Sequence, residues 1–255
     1  MTTIAVTATP LLNAILARAD DALVHAHRLS EWIGHAPMLE EELALGNVAL
    51  DLLGQARALY QYAATIDGAG LTENDYAYRR DAPQFRNLLL LEQPNGDFAL
   101  TITRLFLHSA FLHPWWRAAT RSADPTLAAI AAKAEKEVAY HLRHAGEWLI
   151  RLGDGTEESH RRATDALDRL WRFTGEMFSR DDEKALIADG TLPDPEAIRP
   201  HWEATVARVL MEATLDRPRD GWMQQGGRRG VHTEHLGHML AVMQHLQRAY
   251  PGAVW

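Results

Sequence analysis

Two positions in the sequence place a polar residue on the apolar face of a predicted helix, and they are the best candidates for chemistry. Gln55 follows Leu52 by three residues, and His141 follows Val138 by the same interval. Residues three apart project together from one face of an α-helix, and a carboxylate-bridged di-iron bundle uses a Glu-x-x-His motif on two such faces. Here the motif reads Leu-x-x-Gln and Val-x-x-His. The pattern predicts a helical bundle of the di-iron type that has lost most of its metal ligands.

Thirteen histidines are enough for other metal sites, and two further groups need separate interpretation. The one literal Glu-x-x-His sequence ends at His160 and falls in the first turn of a predicted helix, where an exposed position cannot supply a ligand to a bundle centre. His232, His235 and His238 follow one another at three-residue intervals into the last predicted helix. A zinc site needs three protein ligands. For this stretch we favour packing and capping at an interface between subunits over metal binding.

Helices must position these residues, because the apolar residues repeat with helical periodicity along almost the whole chain. The repeat, together with the proline and glycine positions, predicts helices at about 10–34, 40–66, 97–121, 125–152, 157–180, 199–216 and 233–249, with shorter pieces near 72–91 and 183–190. Asp124 followed by Pro125 indicates an N-cap and a first helical position. Segments with the alternating pattern of a β-strand are essentially missing, so we predict an all-α fold.

The composition is that of a soluble globular protein. The 255 residues are 47% hydrophobic and 24% charged, and the formal net charge of −8 argues against general binding to nucleic acid. No apolar run approaches the roughly 20 residues of a membrane span, and the N-terminus lacks the features of a signal peptide. The chain has no cysteine, which excludes disulfides and thiolate metal sites. We expect a cytoplasmic protein that is not bound to a membrane.

The one concentrated basic motif is Arg228-Arg229, enclosed by glycines in residues 226–230. Two arginines in a glycine loop are candidates for contact with a phosphate group or a partner protein, although a solvated turn before a helix is the more common role of such a loop. The C-terminal Trp255 is a candidate interface anchor.

Six stretches of the sequence resemble the C subunits of bacterial ring-1,2-phenylacetyl-CoA epoxidases. They are residues 28–37 (RLSEWIGHAP), 47–57 (NVALDLLGQAR), 88–96 (LLLLEQPNG), 137–155 (EVAYHLRHAGEWLIRLGDG), 170–174 (LWRFT) and 230–247 (GVHTEHLGHMLAVMQHLQ). The similarity runs from about residue 12 to the C-terminus, and several of these motifs are long enough to be specific.

The resemblance implies a ferritin-like helical bundle with additional C-terminal helices, folded as a single domain over residues 1–255. The core bundle then covers about 10–180 and the C-terminal extension about 181–255. It also implies a place in a multicomponent monooxygenase that uses dioxygen to epoxidise the ring of phenylacetyl-CoA during phenylacetate breakdown. In that assembly the di-iron centre lies in a sister A subunit, which binds this chain tightly. A small B subunit joins them, and a reductase with flavin and iron–sulfur cofactors delivers electrons from NADPH.

The resemblance also aligns the ligand pattern of the catalytic subunit with this sequence. Glu31 falls where the first helix of that subunit supplies a glutamate, and it is retained. Leu52 and Gln55 stand in place of the glutamate and histidine of the second helix. Val138 replaces the glutamate of the fourth helix, whereas His141 is retained.

On the third helix the equivalent position is His108 or Ser109, and neither is a carboxylate. A carboxylate-bridged di-iron site needs about four carboxylates and two histidines. The sequence therefore predicts no di-iron centre and no other cofactor in this chain. Since a buried polar group without a hydrogen bond is costly, we predict that Glu31, Gln55 and His141, with Asp51, form a hydrogen-bonded network in the former metal cavity.

Three functions are compatible with these features. The leading hypothesis is a non-catalytic subunit that stabilises the di-iron subunit by helix packing. One alternative is an independent metal-dependent oxidoreductase, which would bind metal by itself. Another is a free-standing helical binding or regulatory module, which would be stable without an oxygenase partner.

Overall fold

The computed structural model describes residues 3–180 and 183–253, so the predicted role of Trp255 lies outside the described residues. Within these ranges the chain forms α-helices and short 3₁₀ turns, and it contains no strand. The α-helices are α1 (Pro10–Ser30), α2 (Leu39–Asp67), α3 (Glu73–Tyr78), α4 (Leu89–Glu92), α5 (Phe98–Ala119), α6 (Pro125–Gly153), α7 (Glu157–Trp171), α8 (Lys184–Ala188), α9 (Pro195–Glu212), α10 (Glu234–Met243) and α11 (His245–Ala249). The prediction of an all-α fold is confirmed.

The long helices begin and end where local chemistry favours it. At the start of α6, Oδ1 of Asp124 accepts hydrogen bonds from two backbone N–H groups of the first turn, both at 2.9 Å, and Pro125 follows as predicted. Thr9 caps α1 in the same way. Helix α2 ends at Gly68, whose φ of 64° is left-handed and therefore favours glycine.

Four long helices form the centre of the molecule. Helix α1 packs against α2, and α5 packs against α6, each pair being joined by a short connection and therefore antiparallel. Contacts between α2 and α6 pair higher residue numbers on one helix with lower residue numbers on the other, so these two helices are also antiparallel. Two antiparallel pairs arranged in this way make the ferritin-like bundle that the sequence predicts.

Shorter helices pack against the four long ones. Helices α7 and α9 pack against α5, and buried side chains of α10 belong to the same hydrophobic core as those of α1 and α2. No helix among the described residues is long and apolar enough to cross a membrane. The division into a core bundle and a C-terminal extension stays a prediction.

Some predicted boundaries are wrong, and side-chain contacts explain the differences. The helix expected at 199–216 begins four residues earlier, because Asp194 caps it and Pro195 occupies its first turn. The helix expected at 233–249 is interrupted at Gln244, whose side-chain amide donates to the carbonyl oxygens of Ala77 and Arg80, both at 3.0 Å. The helix expected at 157–180 ends at Trp171 and continues as a 3₁₀ turn.

Candidate functional site

Four of the predicted ligand positions face the centre of the bundle. Leu52 and Gln55 on α2 are buried, and so are Val138 and His141 on α6. A leucine and a valine stand where a di-iron site needs carboxylate oxygens, and a hydrocarbon side chain cannot coordinate a metal ion. The donor set at these positions therefore does not fit a carboxylate-bridged di-iron centre.

His141 pairs with Asp51 across the interface between α2 and α6. Its Nε2 atom lies 3.0 Å from Oδ2 of Asp51, and the aspartate side chain is 37% exposed. Burial lowers the pKa of His141 below its ordinary value, and the hydrogen bond and negative charge of Asp51 offset only part of that effect. The pair joins two helices, with its histidine inside the bundle and its carboxylate at the rim.

Gln55 makes a second polar connection between the same helices. Its Nε2 donates to Oε2 of Glu137 at 2.9 Å, and the other oxygen of Glu137 lies 3.4 Å from Nζ of Lys133. The amide oxygen of Gln55 is buried and lacks a hydrogen-bond partner. The structure thus places Gln55, His141 and Asp51 along one seam between α2 and α6.

The prediction that Glu31 belongs to this network is wrong. Helix α1 ends at Ser30, and the Glu31 side chain is 38% exposed at the end of the helix. Its carboxylate accepts hydrogen bonds from Arg28 at 2.9 Å and from Asn95 at 3.0 Å. Glu31 therefore ties the end of α1 to the loop before α5 and lies away from the predicted cavity.

The residue of α1 that lies level with Gln55 is His25. The hydroxyl of Tyr60 donates to Oδ1 of Asp20 at 2.6 Å, which fixes the register of the antiparallel pair α1 and α2. Because the two helices are antiparallel, a step of five residues forward from Asp20 on α1 matches a step of five residues back from Tyr60 on α2. These steps bring His25 opposite Gln55. Sequence reasoning missed His25, although its position between Ala22 and Leu29 on the apolar stripe of α1 was a usable signal.

His25 contacts His108 on α5, and both side chains are fully enclosed. Their Nδ1 atoms lie 3.2 Å apart, so one ring donates and the other accepts, while neither Nε2 atom has a partner. Ser109 is also buried, but it is His108 that meets the helix α1. Which of the two is equivalent to the third-helix ligand stays a prediction.

Burial keeps this histidine pair neutral. It lowers the pKa of His108 to about 4; the negative charge of Asp21 opposes this effect, and the positive charges of Arg228 and Arg18 add to it. Burial also lowers the pKa of His25 well below its ordinary value, with further contributions from His108 and Arg104. In the neutral pair, the Nδ1–H of one imidazole donates the hydrogen bond and the unprotonated Nδ1 of the other accepts it. Among the described residues, no three histidine or carboxylate side chains are arranged to hold a metal ion.

Arg228 has an internal role, which corrects the prediction that it contacts a phosphate group or a partner. Its guanidinium reaches into the bundle and bonds both carboxylate oxygens of Asp21, at 3.0 and 2.7 Å. It also donates to the backbone oxygens of Ala17 and Arg86, at 3.1 and 2.7 Å. These bonds attach the loop before α10 to α1. The prediction for Arg229 stays untested.

The C-terminal histidines do not share one site in the way that a zinc centre requires. Nδ1 of His232 lies 2.8 Å from Oε2 of Glu92, which is fully buried, and its Nε2 lies 3.0 Å from the backbone oxygen of Phe85. The hydroxyl of Thr233 donates to the other oxygen of Glu92 at 2.8 Å. Burial lowers the pKa of His232, but the hydrogen bond and charge of Glu92 outweigh this effect and raise the pKa above its ordinary value.

Comparison with known proteins agrees with the fold. The family model described as "Phenylacetic acid catabolic protein" matches residues 1–255. Among curated proteins, the C subunit of the 1,2-phenylacetyl-CoA epoxidase of Escherichia coli (strain K12) is 50% identical over 237 residues, which cover 92% of this chain and 95% of that protein.

Proposed function

The chain belongs to the phenylacetic acid catabolic protein family, and from this membership we propose that it is the structural, non-catalytic subunit of a bacterial di-iron monooxygenase. The enzyme as a whole epoxidises the ring of phenylacetyl-CoA in aerobic phenylacetate catabolism. In this proposal the di-iron centre lies in a catalytic A subunit, which this chain stabilises as a tight heteromer. The similarity to a protein named as the C subunit of such an epoxidase supports the assignment.

The main support for a non-catalytic role is that Leu52 and Val138, which are both buried, occupy ligand positions. A di-iron centre that activates dioxygen needs carboxylates there, and two neighbouring polar side chains bond to other residues of this chain. His141 is bonded to Asp51, and Gln55 is bonded to Glu137. This pattern is what we expect of a bundle whose former metal cavity serves to hold its helices together.

The remaining components follow from the same proposal. A small B subunit and a reductase that carries flavin and iron–sulfur cofactors complete the enzyme, and NADPH supplies the electrons. The chain itself holds no cofactor and works in the cytoplasm. Its contribution to catalysis is indirect, because it keeps the catalytic subunit folded and correctly placed.

Reconstitution of the complete enzyme tests this proposal. The variants Asp51→Asn and Gln55→Ala should lower the stability of this chain, while the assembled enzyme keeps a kcat close to that of the wild type. Omission of the chain should shorten the active lifetime of the catalytic subunit. If either variant abolishes turnover in an assembly of normal composition and iron content, the site takes part in the chemistry and the proposal is wrong.

A further inference from the structure

Helix α2 carries an apolar face that nothing in the described part of this chain covers. Leu39, Leu43 and Leu50 are 67%, 60% and 65% exposed, although leucine is usually buried. They follow one another at intervals of four and seven residues and therefore share one side of the helix. The core-facing side, which includes Val48 and Leu52, lies almost opposite. A helix that is apolar on both sides has a second packing surface.

Two glycines lie on the same exposed side. Gly46 and Gly54 are interior to α2, where glycine is less favourable than alanine. A Cβ atom added at Gly46 would meet nothing within 4 Å, and one at Gly54 would meet only Nζ of Lys133 at 4.0 Å. Contacts among the described residues therefore do not require either glycine. A close approach by a helix from another chain does explain them, because small residues let two backbones come near each other.

We infer that this face of α2, formed by Leu39, Leu43, Gly46, Leu50 and Gly54 and called the α2 stripe, binds an antiparallel helix of the catalytic sister subunit. The inference rests on the proposed function, since it names the surface through which this chain holds its partner. The name of the similar protein, which is a subunit of a larger enzyme, is the reason for choosing a different chain as the occupant.

The order of residues along the α2 stripe defines the chemistry of that partner helix. From Leu43 onwards large and small residues alternate about a centre near residue 48, so an antiparallel helix of similar pattern would place leucines over Gly46 and Gly54 and small residues over Leu43 and Leu50. The partner helix should therefore present leucine and glycine or alanine in the same alternation.

Charged residues at the two ends of the stripe favour one orientation of the partner helix. Glu40 is exposed at one end, and Arg57 is exposed at the other, where its side chain is paired on one side with Glu73 at 3.2 Å. An antiparallel partner with a cation facing Glu40 and an anion facing Arg57 would be held in register.

Binding of the purified chain to the catalytic subunit, measured by isothermal titration or co-elution, tests the inference. The substitution Leu50→Glu should weaken binding at least about tenfold, because it buries a charge in the centre of an interface. Met211→Glu is the matched control, since Met211 on α9 is 72% exposed and lies outside the stripe. Circular dichroism should show both variants folded.

A second pair of variants separates packing from folding. Gly46→Ala and Gly54→Ala should each raise the Tm of the isolated chain by about 2 to 4 °C, because alanine favours the helix. The same changes should weaken binding to the catalytic subunit, because the added methyl groups keep the partner helix at a distance. An increase in both Tm and affinity would overturn the inference.

The outcomes distinguish this inference from the proposed function. If the wild-type chain and all stripe variants bind the catalytic subunit equally well, the function stands and the assignment of the surface is wrong. If the wild-type chain itself does not bind, the proposed function fails and the inference fails with it. A homodimer that Leu50→Glu dissociates, and that persists beside the catalytic subunit, would assign the stripe to a second copy of this chain.

Discussion

The Nδ1 atoms of His25 and His108 lie 3.2 Å apart at the centre of the bundle, where α1 meets α5. Neither ring has a partner at Nε2, and no carboxylate bonds directly to either of them in the described residues. Two protonated imidazoles at this distance would repel each other inside a medium that already disfavours charge. The pair is therefore stable only while it is neutral or nearly so.

This relationship predicts that acid destabilises the fold. Because the pKa of both histidines is lower in the folded state than the ordinary 6.5, the unfolded state binds more protons as the pH falls below that value. The stabilisation is complete above about pH 6.5 and is lost as the pH falls toward the pKa of about 4 of His108. We expect a loss of at least roughly 2 kcal/mol from this pair, measured by urea unfolding between pH 7 and pH 4.5.

The double variant His25→Leu with His108→Leu is the control for that experiment. It removes the two titrating rings, so its free energy of unfolding should fall less steeply over the same range of pH. Equal slopes for the wild type and the double variant would show that other groups cause the acid sensitivity.

His232 predicts the opposite dependence on pH. Its folded-state pKa is raised by Glu92, so its contribution is fully present below about pH 6.5 and is lost as the pH rises through the folded value. His232→Ala should therefore destabilise the protein more at about pH 6 than at about pH 9. The measurement is the difference in free energy of unfolding between variant and wild type at each pH. A difference that grows with pH would refute the role given to Glu92.

Removal of Arg228 should be strongly destabilising. Asp21 would remain buried without its bidentate partner, and breaking such a pair typically costs about 3 to 5 kcal/mol. Denaturant unfolding of Arg228→Ala measures the loss. Arg161→Ala is a suitable control, because the bonds of Arg161 to Glu158 and Asp165 lie at the surface and its removal should leave stability nearly unchanged. Similar losses for the two variants would contradict an internal role for Arg228.

A carboxylate restored at a single ligand position should destabilise the isolated chain. Leu52→Glu places an ionisable group among buried apolar residues and should cost at least about 3 kcal/mol. Leu50→Glu, two residues away on the exposed side of the same helix, should change the stability of the isolated chain by no more than about 0.5 kcal/mol. If Leu52→Glu lowers the free energy of unfolding no more than Leu50→Glu does, the cavity is more polar than its lining residues indicate.

The sequence predicts the long helices well and the buried polar contacts poorly. Helices α2 and α6 were expected to within a residue or two, because a long apolar repeat and strong breakers define each of them. The positions Leu52 and Val138 were also expected on the inner face, since their spacing on a helix is local information. Both features depend on residues close together in the chain.

Contacts between distant residues carry no comparable signal. Asp20 bonds Arg80 and Asp21 bonds Arg228, both inside the protein and across 60 and 207 residues of sequence. In the sequence, charged residues in α1 look like a solvated face, and their burial is tolerated only because tertiary packing supplies their partners. Glu31 was misplaced for a related reason, because the end of α1 is set by contacts with Arg28 and Asn95.

The most direct test of the central claim is metal analysis of the chain purified alone and again after co-expression with the di-iron sister subunit. We expect no stoichiometric metal in the isolated chain and about two iron ions per sister chain in a co-eluting complex. Iron, zinc or manganese bound in stoichiometric amount by the isolated chain, and lost when His25, His108 or His141 is replaced, would contradict the structural role and give this bundle a metal centre of its own.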